Sequence, residues 1–340
     1  MAHLKPGTTL KDRYKIAGLI GAGGMGAVYL AEDDRLEGRR CAVKEQTLDE
    51  AAAQVGRKQF HQEASLLARL DHPGLPKVSD YFFDEGANRD YLVMDYVPGQ
   101  NLEQLVKEAR RRNEFLAEET VLEWVDQLCD ILTYLHSRRP MVLHRDIKPA
   151  NIKLTPESRL KLVDFGLAKP FDPGDPRTVT GLQGLGSLPY TPLEQYVGHL
   201  GHTDARADLY ALGATCYHLL TGQSPASAHD RFLNPQALTP PESLNPHISP
   251  QVSQAILQAM LLHPNDRPVS VEVWRATLKN NAPIHLTSSG KTQLTPSTAS
   301  NAPNNSPAQS SFATILKENA LLFGIALLLF ILAAVMTFSQ

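Results

Sequence analysis

The residues best suited to chemistry lie in one short part of the 340-residue chain. The stretch 144–151 contains Asp146, Lys148 and Asn151, and Asp164 follows as the first residue of an Asp-Phe-Gly triplet. Phosphoryl transfer from a magnesium-bound nucleotide needs such a set. In such a set, one acid can orient a hydroxyl nucleophile, and the lysine can neutralise the phosphoryl group as it moves. The other acid and the asparagine can hold metal ions, because Mg²⁺ prefers hard oxygen ligands.

A glycine-rich run near the N-terminus is suited to holding phosphates. Residues 21–28 read Gly-Ala-Gly-Gly-Met-Gly-Ala-Val, and glycines let backbone amides approach phosphate oxygens closely. Dinucleotide-binding turns share this spacing but continue into a helix. Here residues 28–30 continue as a strand, which favours a flap over a nucleotide. The flap residues expected to contact the nucleotide are Ile20, Gly21, Ala22, Gly23, Gly24, Met25, Gly26 and Val28.

In this order, the motifs resemble those of the protein kinases. The resemblance implies that Asp146 orients the substrate hydroxyl and accepts its proton, and that Lys148 contacts the γ-phosphate. It assigns the metal ions to Asp164 and Asn151. The run Asp-Ile-Lys-Pro-x-Asn around Lys148 is similar to serine/threonine kinases, because tyrosine kinases usually lack this lysine. Ser187 favours the same class, since a small hydroxyl residue there typically lines the acceptor site. Together with residues 75–78, the motif set looks like bacterial, eukaryotic-like members. The resemblance implies a two-lobed α+β fold, with a small antiparallel-sheet N-lobe containing one helix and a larger, mainly helical C-lobe.

The elements that must position these residues can be predicted from apolar periodicity and turn residues. Strands are predicted at residues 14–19, 27–31, 40–44, 80–83 and 91–96, with a helix at 54–70. A hinge is expected at 95–99. Further helices are predicted at 102–109, 118–136, 205–220, 250–262 and 271–278. We expect a kinase domain at residues 12–280, with an N-lobe of about 12–97 and a C-lobe of about 98–280.

The resemblance also assigns Lys44, at the end of the third predicted strand, to the α- and β-phosphates of the nucleotide. A nearby carboxylate would fix this lysine, and we expect Glu63 in the following helix to supply it. Glu50 is less suitable because it precedes the helix proper. A lone lysine on a strand is otherwise usually a solvent-facing charge.

The base of the nucleotide is expected against the hinge. By resemblance, Met94 lies at the back of the adenine pocket, Ala42 lines it, and the backbone of Asp95 and Val97 hydrogen-bonds the base. Lys153 stands where the family usually has an apolar residue under the base. We expect its methylene stem to form the floor and its ammonium to reach solvent.

Regulation of the activation loop, residues 167–195, is implied by the resemblance. Arg145 is expected to pair with a phosphate on this loop, which would order it. Thr178 and Thr180 are the candidate phosphorylation sites, and the alternative is that both are ordinary turn residues.

Three further residues are expected to be structural. Asp208 resembles the helix-start residue that braces the catalytic loop, and Arg267 resembles the buried arginine that pairs with the Glu ending the activation segment, here Glu194. A buried ion is tolerated when it is paired. The segment ends Pro-Leu-Glu at 192–194, whereas the family usually has Ala-Pro-Glu, so the shape of this turn stays open.

Composition and charge indicate the class of partner and the nature of the segments after the predicted kinase domain. The net charge of −3 does not indicate a nucleic-acid partner, and the widely spaced Cys41, Cys129 and Cys216 do not predict a disulfide framework. Residues 281–316 are predicted to be a flexible linker rich in Ser, Thr, Pro and Asn. Residues 317–338 are predicted to be a transmembrane helix, with a buried core helix as the alternative.

The leading interpretation is a tail-anchored, single-pass kinase of the cell membrane whose kinase domain faces the cytoplasm. It would use ATP and Mg²⁺, with Mn²⁺ as an alternative ion, to phosphorylate Ser and Thr of proteins and its own activation loop. The lipid bilayer and a transient homodimer for trans-phosphorylation are the other expected partners. The alternative is an inactive pseudokinase scaffold, which is disfavoured because every residue of the catalytic set is present. A small-molecule kinase is disfavoured by the activation segment and Arg267.

Overall fold

A six-stranded antiparallel sheet is followed along the chain by a larger group of helices. The computed structural model describes residues 3–23, 26–46, 61, 64–164, 169–170, 185–196 and 203–279, all within the unit Met1–Ile284. A sheet-rich lobe and a helical lobe confirm the two-lobed α+β architecture that the sequence predicts.

The N-lobe sheet is built from hairpins whose strands are longer than the sequence predicts. Strands β2 and β3 continue through the glycine run, where Gly21 pairs with Val28 and Gly23 with Gly26. The alternation of apolar and polar side chains stops at the glycines, but backbone pairing does not need side chains. The sequence pattern therefore predicts strands that end too early. The sheet has the order β1-β2-β3-β4-β6-β5 and contains β1 (Thr9–Leu10), β2 (Tyr14–Gly23), β3 (Gly26–Asp33), β4 (Arg40–Gln46), β5 (Val78–Asp84) and β6 (Arg89–Asp95).

The helices of the C-lobe follow the apolar periodicity closely. The predicted helix at 118–136 is found with these bounds, whereas the one predicted at 250–262 ends at Ala259, because Met260 leaves the helical conformation. The described helices are α1 (Leu102–Arg111), α2 (Glu118–His136), α3 (Leu193–Tyr196), α4 (Ala205–Thr221), α5 (Ala228–Leu233), α6 (Pro241–Leu244), α7 (Pro250–Ala259) and α8 (Val271–Lys279).

Helix α4 is the centre of this lobe. Its N-cap Asp204 accepts a hydrogen bond from Arg206 N, and it ends at Gly222, which has a left-handed φ of 68°. It packs against α2, α7 and α8, and nearly all of its side chains are buried. A helix that is buried on every side is a core helix. Groups attached to its first turn therefore have a rigid support.

Two short sheets follow the hinge and were not predicted, because strands of two or three residues show no periodicity. One has the order β10-β9-β7, with β7 (Gln100–Asn101), β9 (Ile152–Leu154) and β10 (Leu160–Leu162); the other pairs β8 (Val142–Leu143) with β11 (Lys169–Pro170). Before β7, Gly99 has a φ of +97°, and a Cβ there would lie 2.0 Å from Leu154 O. The hinge therefore runs directly along β9.

Two apolar cores hold these elements. One fills the space around α2 and α4, and the other covers the sheet face that carries Tyr14, Tyr29 and Tyr91. The three cysteines are buried and free. Within the described ranges, no helix has both the length and the apolar character needed to span a bilayer. The predicted linker 281–316 and transmembrane helix 317–338 lie outside the described residues.

Candidate active site

Asp208, in the first turn of α4, fixes the loop that carries the expected catalytic residues. Its buried carboxylate accepts hydrogen bonds from the backbone N–H groups of His144 and Arg145 at 2.9 and 2.8 Å. His136 Nε2 lies 2.9 Å from the same carboxylate. Burial raises the pKa of Asp208, but His136 and the loop amides lower it more, so the pKa lies below its ordinary value. This ionised group holds the turn that precedes Asp146, in which Arg145 has a φ of 67°.

Four polar side chains converge at the end of this loop. Lys148 Nζ donates to both carboxylate oxygens of Asp146, at 3.0 and 2.8 Å, and to Ser187 Oγ at 2.7 Å. The Ser187 hydroxyl donates to Asp146 Oδ1 at 3.0 Å, and Asn151 Nδ2 donates to Asp146 Oδ2 at 2.8 Å. A hydroxyl, a carboxylate and an ammonium thus lie in mutual contact. This is the arrangement that deprotonation of an alcohol and transfer of an anionic group require.

Lys44 and Asp164 meet across the cleft. Strand β4 places Lys44 Nζ 2.9 Å from Asp164 Oδ1. The charge of Lys44 lowers the pKa of Asp164 to about 2, although burial opposes this shift. Val163 N donates to Asn151 O at 2.8 Å, which ties the residue before Asp164 to the loop. The two expected metal ligands, Asp164 and Asn151, are therefore linked through the backbone.

The donor set fits Mg²⁺. Asp164 is ionised at neutral pH, and Asn151 supplies an amide oxygen, so both are hard oxygen donors. Over the described residues, no group of three or more His, Cys, Asp or Glu converges on a common point. Mg²⁺ is usually bound by one or two protein oxygens together with substrate phosphates and water. Two protein ligands beside a phosphate site are what this ion needs.

Replacing Lys44 with Met is expected to raise the pKa of Asp164 from about 2 towards its ordinary value of 3.8. A carboxylate with a lowered folded-state pKa stabilises the fold above its unfolded pKa, and this contribution is lost as the pH falls through the folded pKa. The wild type should therefore lose more stability than Lys44→Met between about pH 4 and pH 2. Because 48% of the Asp164 side-chain surface is exposed, solvent screening keeps the difference small.

Two measurements check this expectation. A ¹³C NMR titration of the Asp164 carboxyl carbon gives its pKa in both proteins, and urea unfolding at each pH gives the free energy. An equal pKa in the wild type and in Lys44→Met would contradict the assignment.

The expected nucleotide pocket is lined as the register of the sheet dictates. Ala42 on β4 lies opposite Met94 on β6, and Lys44 lies opposite Val28 on β3. Ala42 is buried, whereas Ile20 is exposed. The flap residues that the structure describes lie on β2 and β3, on the β3 side of β4; they are Ile20, Gly21, Ala22, Gly23, Gly26 and Val28.

The hinge accepts a hydrogen bond from Lys153. Asp95 ends β6, and its backbone N–H donates to Lys77 O at 2.9 Å. Lys153 Nζ donates to Val97 O at 2.6 Å and lies 5.5 Å from the centre of the Tyr96 ring. The ammonium of Lys153 is therefore held by the hinge, because the Val97 carbonyl is within its reach. The Lys153 side chain is half-buried, and the expectation that its ammonium reaches solvent stays a prediction.

Arg267 and Glu194 form the ion pair that the sequence predicts. Arg267 Nη1 and Nη2 contact the two carboxylate oxygens of Glu194 at 2.6 and 3.0 Å. Its remaining N–H groups donate to backbone carbonyls, among them Leu261 O at 2.7 Å and Arg206 O at 3.0 Å. The guanidinium is fully buried and lies over the Tyr210 ring at 5.0 Å. This network ties α3 to the segment before α8.

Arg145 is a further predicted site residue. Arg145 is buried, and burial lowers its pKa while Asp208 opposes the shift. Its expected contact with a phosphorylated loop stays a prediction. The remaining predicted site residues, which lie outside the described residues, are Glu63, Gly24, Met25, Thr178 and Thr180.

A second polar pair lies near Ser187 and was not predicted from the sequence. The Tyr190 hydroxyl lies 2.6 Å from His218 Nδ1 on α4. Burial lowers the pKa of His218 and raises that of Tyr190, so the hydroxyl donates to a neutral ring. This bond anchors the turn Leu185–Tyr190, which presents Ser187 to Asp146. A tyrosine and a histidine far apart in sequence carry no motif that would reveal it.

Comparisons with known proteins agree with this geometry. Residues 14–275 match the protein kinase domain family. The chain is 35% identical over 269 residues to the serine/threonine-protein kinase PknA of Mycobacterium tuberculosis, covering 76% of this chain and 58% of PknA. It is 37% identical over 228 residues to serine/threonine-protein kinase B of Synechocystis, covering 64% of this chain and 38% of that protein. The chain thus spans less than two thirds of the length of both relatives.

The fold has relatives among solved structures as well. The crystal structure of the Mycobacterium tuberculosis PknI kinase domain superposes with a TM-score of 0.63 at 29% identity, covering 82% of this chain and 98% of that domain. The apo form of PpkA-294 gives a TM-score of 0.66 at 26% identity. With the family match over most of its length and with these bacterial relatives, the chain belongs to the protein kinase family, in its bacterial, eukaryotic-like serine/threonine group.

Proposed function

We propose that this chain is an active serine/threonine protein kinase that transfers the γ-phosphate of ATP to Ser and Thr hydroxyls of proteins. The observation that carries the proposal is the contact of Asp146 with both Lys148 and Ser187. The names of the bacterial relatives support the class of acceptor.

The residues of the chain divide the work. Asp146 accepts the proton of the substrate hydroxyl as its oxygen attacks, and Lys148 stabilises the charge that moves with the phosphoryl group. Lys44 would hold the α- and β-phosphates, while Asp164 and Asn151 would hold Mg²⁺, with Mn²⁺ as an alternative ion. The bound metal ion supplies neutralisation of phosphate charge. The flap and the hinge position the nucleotide.

The test is transfer of radiolabelled γ-phosphate from ATP to a generic protein substrate by the purified full chain. We expect incorporation with Mg²⁺ and a return to background when EDTA removes the ion, because the positive charge that would neutralise the phosphates is then lost. Restoring Mg²⁺ should restore the activity. Incorporation that is insensitive to EDTA would indicate a contaminating activity or a different mechanism.

The pseudokinase scaffold remains the alternative. Asp146, Lys148, Asn151 and Asp164 are all present and adjacent, which disfavours it. Calorimetric binding of Mg²⁺-ATP without any phosphate transfer, in a correctly folded preparation, would favour the scaffold.

We also propose that residues 317–338 anchor the chain in the cell membrane as a helix, with residues 281–316 as a flexible linker and the kinase domain on the cytoplasmic side. The support is the uncharged apolar run in this segment. Cell fractionation of the full chain beside a version ending at residue 280 tests this. Equal release of both into the soluble fraction would contradict the anchor.

Autophosphorylation at Thr178 and Thr180, in trans within a transient homodimer, is a further proposal that rests on the position of these residues in the activation loop. Mass spectrometry after incubation with ATP tests it. Mixing the active chain with an Asp146→Asn chain of different mass distinguishes trans from cis transfer, since only trans transfer labels the inactive partner.

A further inference from the structure

The turn Leu185–Tyr190, which carries Ser187, is attached to helix α4 by one side-chain hydrogen bond. The Tyr190 hydroxyl lies 2.6 Å from His218 Nδ1 on that helix. A second bond, from Thr191 Oγ1 to Ser187 O at 2.9 Å, joins residues of the same segment and moves with it. The contact with His218 therefore fixes the turn relative to the core, whereas the bond from Thr191 only shapes it.

The hydrogen bond between Tyr190 and His218 has a defined direction. Burial lowers the pKa of His218, and the charges of α1 act in both directions, since Glu103 raises this pKa while Lys107 and Arg110 lower it. The ring is therefore neutral at neutral pH. Burial raises the pKa of Tyr190, so the hydroxyl keeps its proton. A neutral imidazole has one acceptor nitrogen, so Nδ1 accepts the bond and the tyrosine donates it.

We propose that His218 is a positioning residue for phosphoryl transfer to protein acceptors. It acts through Tyr190, which holds the turn of Ser187 and so sets where an acceptor hydroxyl lies beside Asp146. This inference rests on the proposed function and deepens it by naming a residue that serves the protein acceptor and not the nucleotide. His218 lies about three turns beyond Asp208 on the same buried helix, so its support is rigid.

Transfer to a protein and hydrolysis by water make different demands on the site. A protein hydroxyl is placed by the turn of Ser187, because the chain of the acceptor has to lie along that turn. A water molecule needs the proton acceptor but no such support. Asp146 keeps its hydrogen bonds from Lys148 and Asn151, at 2.8 Å each, when the turn is loosened. Loss of the bond to His218 should therefore impair transfer to a protein more than hydrolysis of ATP.

The chain provides a matched control in Tyr217, the neighbour of His218 on α4. Tyr217 is buried, and burial raises the pKa of its hydroxyl, as it does for Tyr190. This hydroxyl donates to Thr239 O at 2.9 Å, and Thr239 lies between α5 and α6, outside the segment 185–196. Tyr217→Phe therefore removes the same chemical group from a contact of the same helix without touching the turn of Ser187.

The test measures two rates of the purified full chain: transfer of radiolabelled γ-phosphate to myelin basic protein, and hydrolysis of ATP without any protein acceptor. In Tyr190→Phe and in His218→Leu, kcat for the protein should fall by about tenfold, the effect of losing one neutral hydrogen bond. KM for ATP and the rate of hydrolysis should change by about twofold or less. Tyr217→Phe should transfer phosphate like the wild type.

Two further variants show whether the hydrogen bond itself is responsible. His218→Asn places a side-chain oxygen close to the position of Nδ1, so it can accept from Tyr190 and should restore most of the transfer that His218→Leu loses. The double variant Tyr190→Phe with His218→Leu should lose no more than either single variant, because both substitutions remove the same bond.

The outcomes are separable when each variant has a thermal unfolding transition like that of the wild type. Unchanged transfer in Tyr190→Phe, or equal losses in His218→Asn and His218→Leu, overturns the inference and leaves the proposed function standing. A loss in Tyr217→Phe of the same size also overturns it, as does a parallel fall in ATP hydrolysis, because the damage would then be general. A wild type that transfers no phosphate to protein ends the proposed function and the inference with it.

Discussion

Replacing Asp146 with Asn is expected to lower the rate of phosphoryl transfer by about 10²- to 10⁴-fold, the range that a general base contributes. Asparagine keeps the shape of the side chain but cannot accept the proton of the attacking hydroxyl. It also removes the charge that holds Lys148 at 2.8 Å. The measurement is incorporation of radiolabelled phosphate into a protein substrate at saturating ATP.

Two controls accompany this experiment. Asp71→Asn removes a carboxylate whose side chain is 79% exposed and contacts only Lys77 among the ion pairs described, so it should transfer phosphate like the wild type. Binding of Mg²⁺-ADP to Asp146→Asn should stay within about tenfold of the wild type, because Asp164 and Asn151 are intact. A variant that keeps a tenth or more of the wild-type rate would remove Asp146 from its assigned role.

Arg267→Ala is expected to lower the free energy of unfolding by about 3–5 kcal/mol, because it leaves the Glu194 carboxylate buried without its counter-charge. The loss also strands the carbonyl oxygens of Leu261 and Arg206, which Arg267 satisfies in the wild type. Urea unfolding, followed by circular dichroism, measures the change. The substitution removes no group that touches the nucleotide or the acceptor. The specific activity of the folded fraction should therefore fall only slightly.

A second arginine distinguishes the effect of losing a buried ion pair from the effect of losing an exposed one. Arg112 contacts Glu114 at 3.1 Å, and both side chains are mostly exposed. Arg112→Ala should therefore change the free energy of unfolding by about 1 kcal/mol or less. If Arg267→Ala and Arg112→Ala were equally mild, the buried pair would not be the brace between α3 and the segment before α8.

Much of the site could be predicted because chemistry restricts the residue types. The resemblance to protein kinases implied the pairing of Arg267 with Glu194 and the role of Asp208, and the first of these agrees with the rule that a buried ion is paired. The helix 118–136 could be predicted with its bounds, because a long amphipathic helix repeats its signal over several turns.

The rest depends on contacts that sequence does not encode locally. The position of the Lys153 ammonium depends on its hydrogen bond to the Val97 carbonyl. Because every residue has a backbone carbonyl, no sequence pattern identifies this carbonyl as the acceptor. The short strands β7 to β11 are fixed by tertiary contacts rather than by their own residues. Tyr190 and His218 meet only because α4 passes under the turn that holds Ser187.

The attachment of the catalytic loop to α4 through Asp208 has an energetic consequence. Because the core helix already holds the amides of His144 and Arg145, the loop loses little freedom when ATP and a substrate arrive. The entropic cost of positioning Asp146 as the proton acceptor is therefore met when the chain folds, and it is not repeated in each turnover. Regulation of turnover would then act on parts of the site that are not attached to α4, such as the ion pair between Lys44 and Asp164 or the access of the acceptor to Asp146.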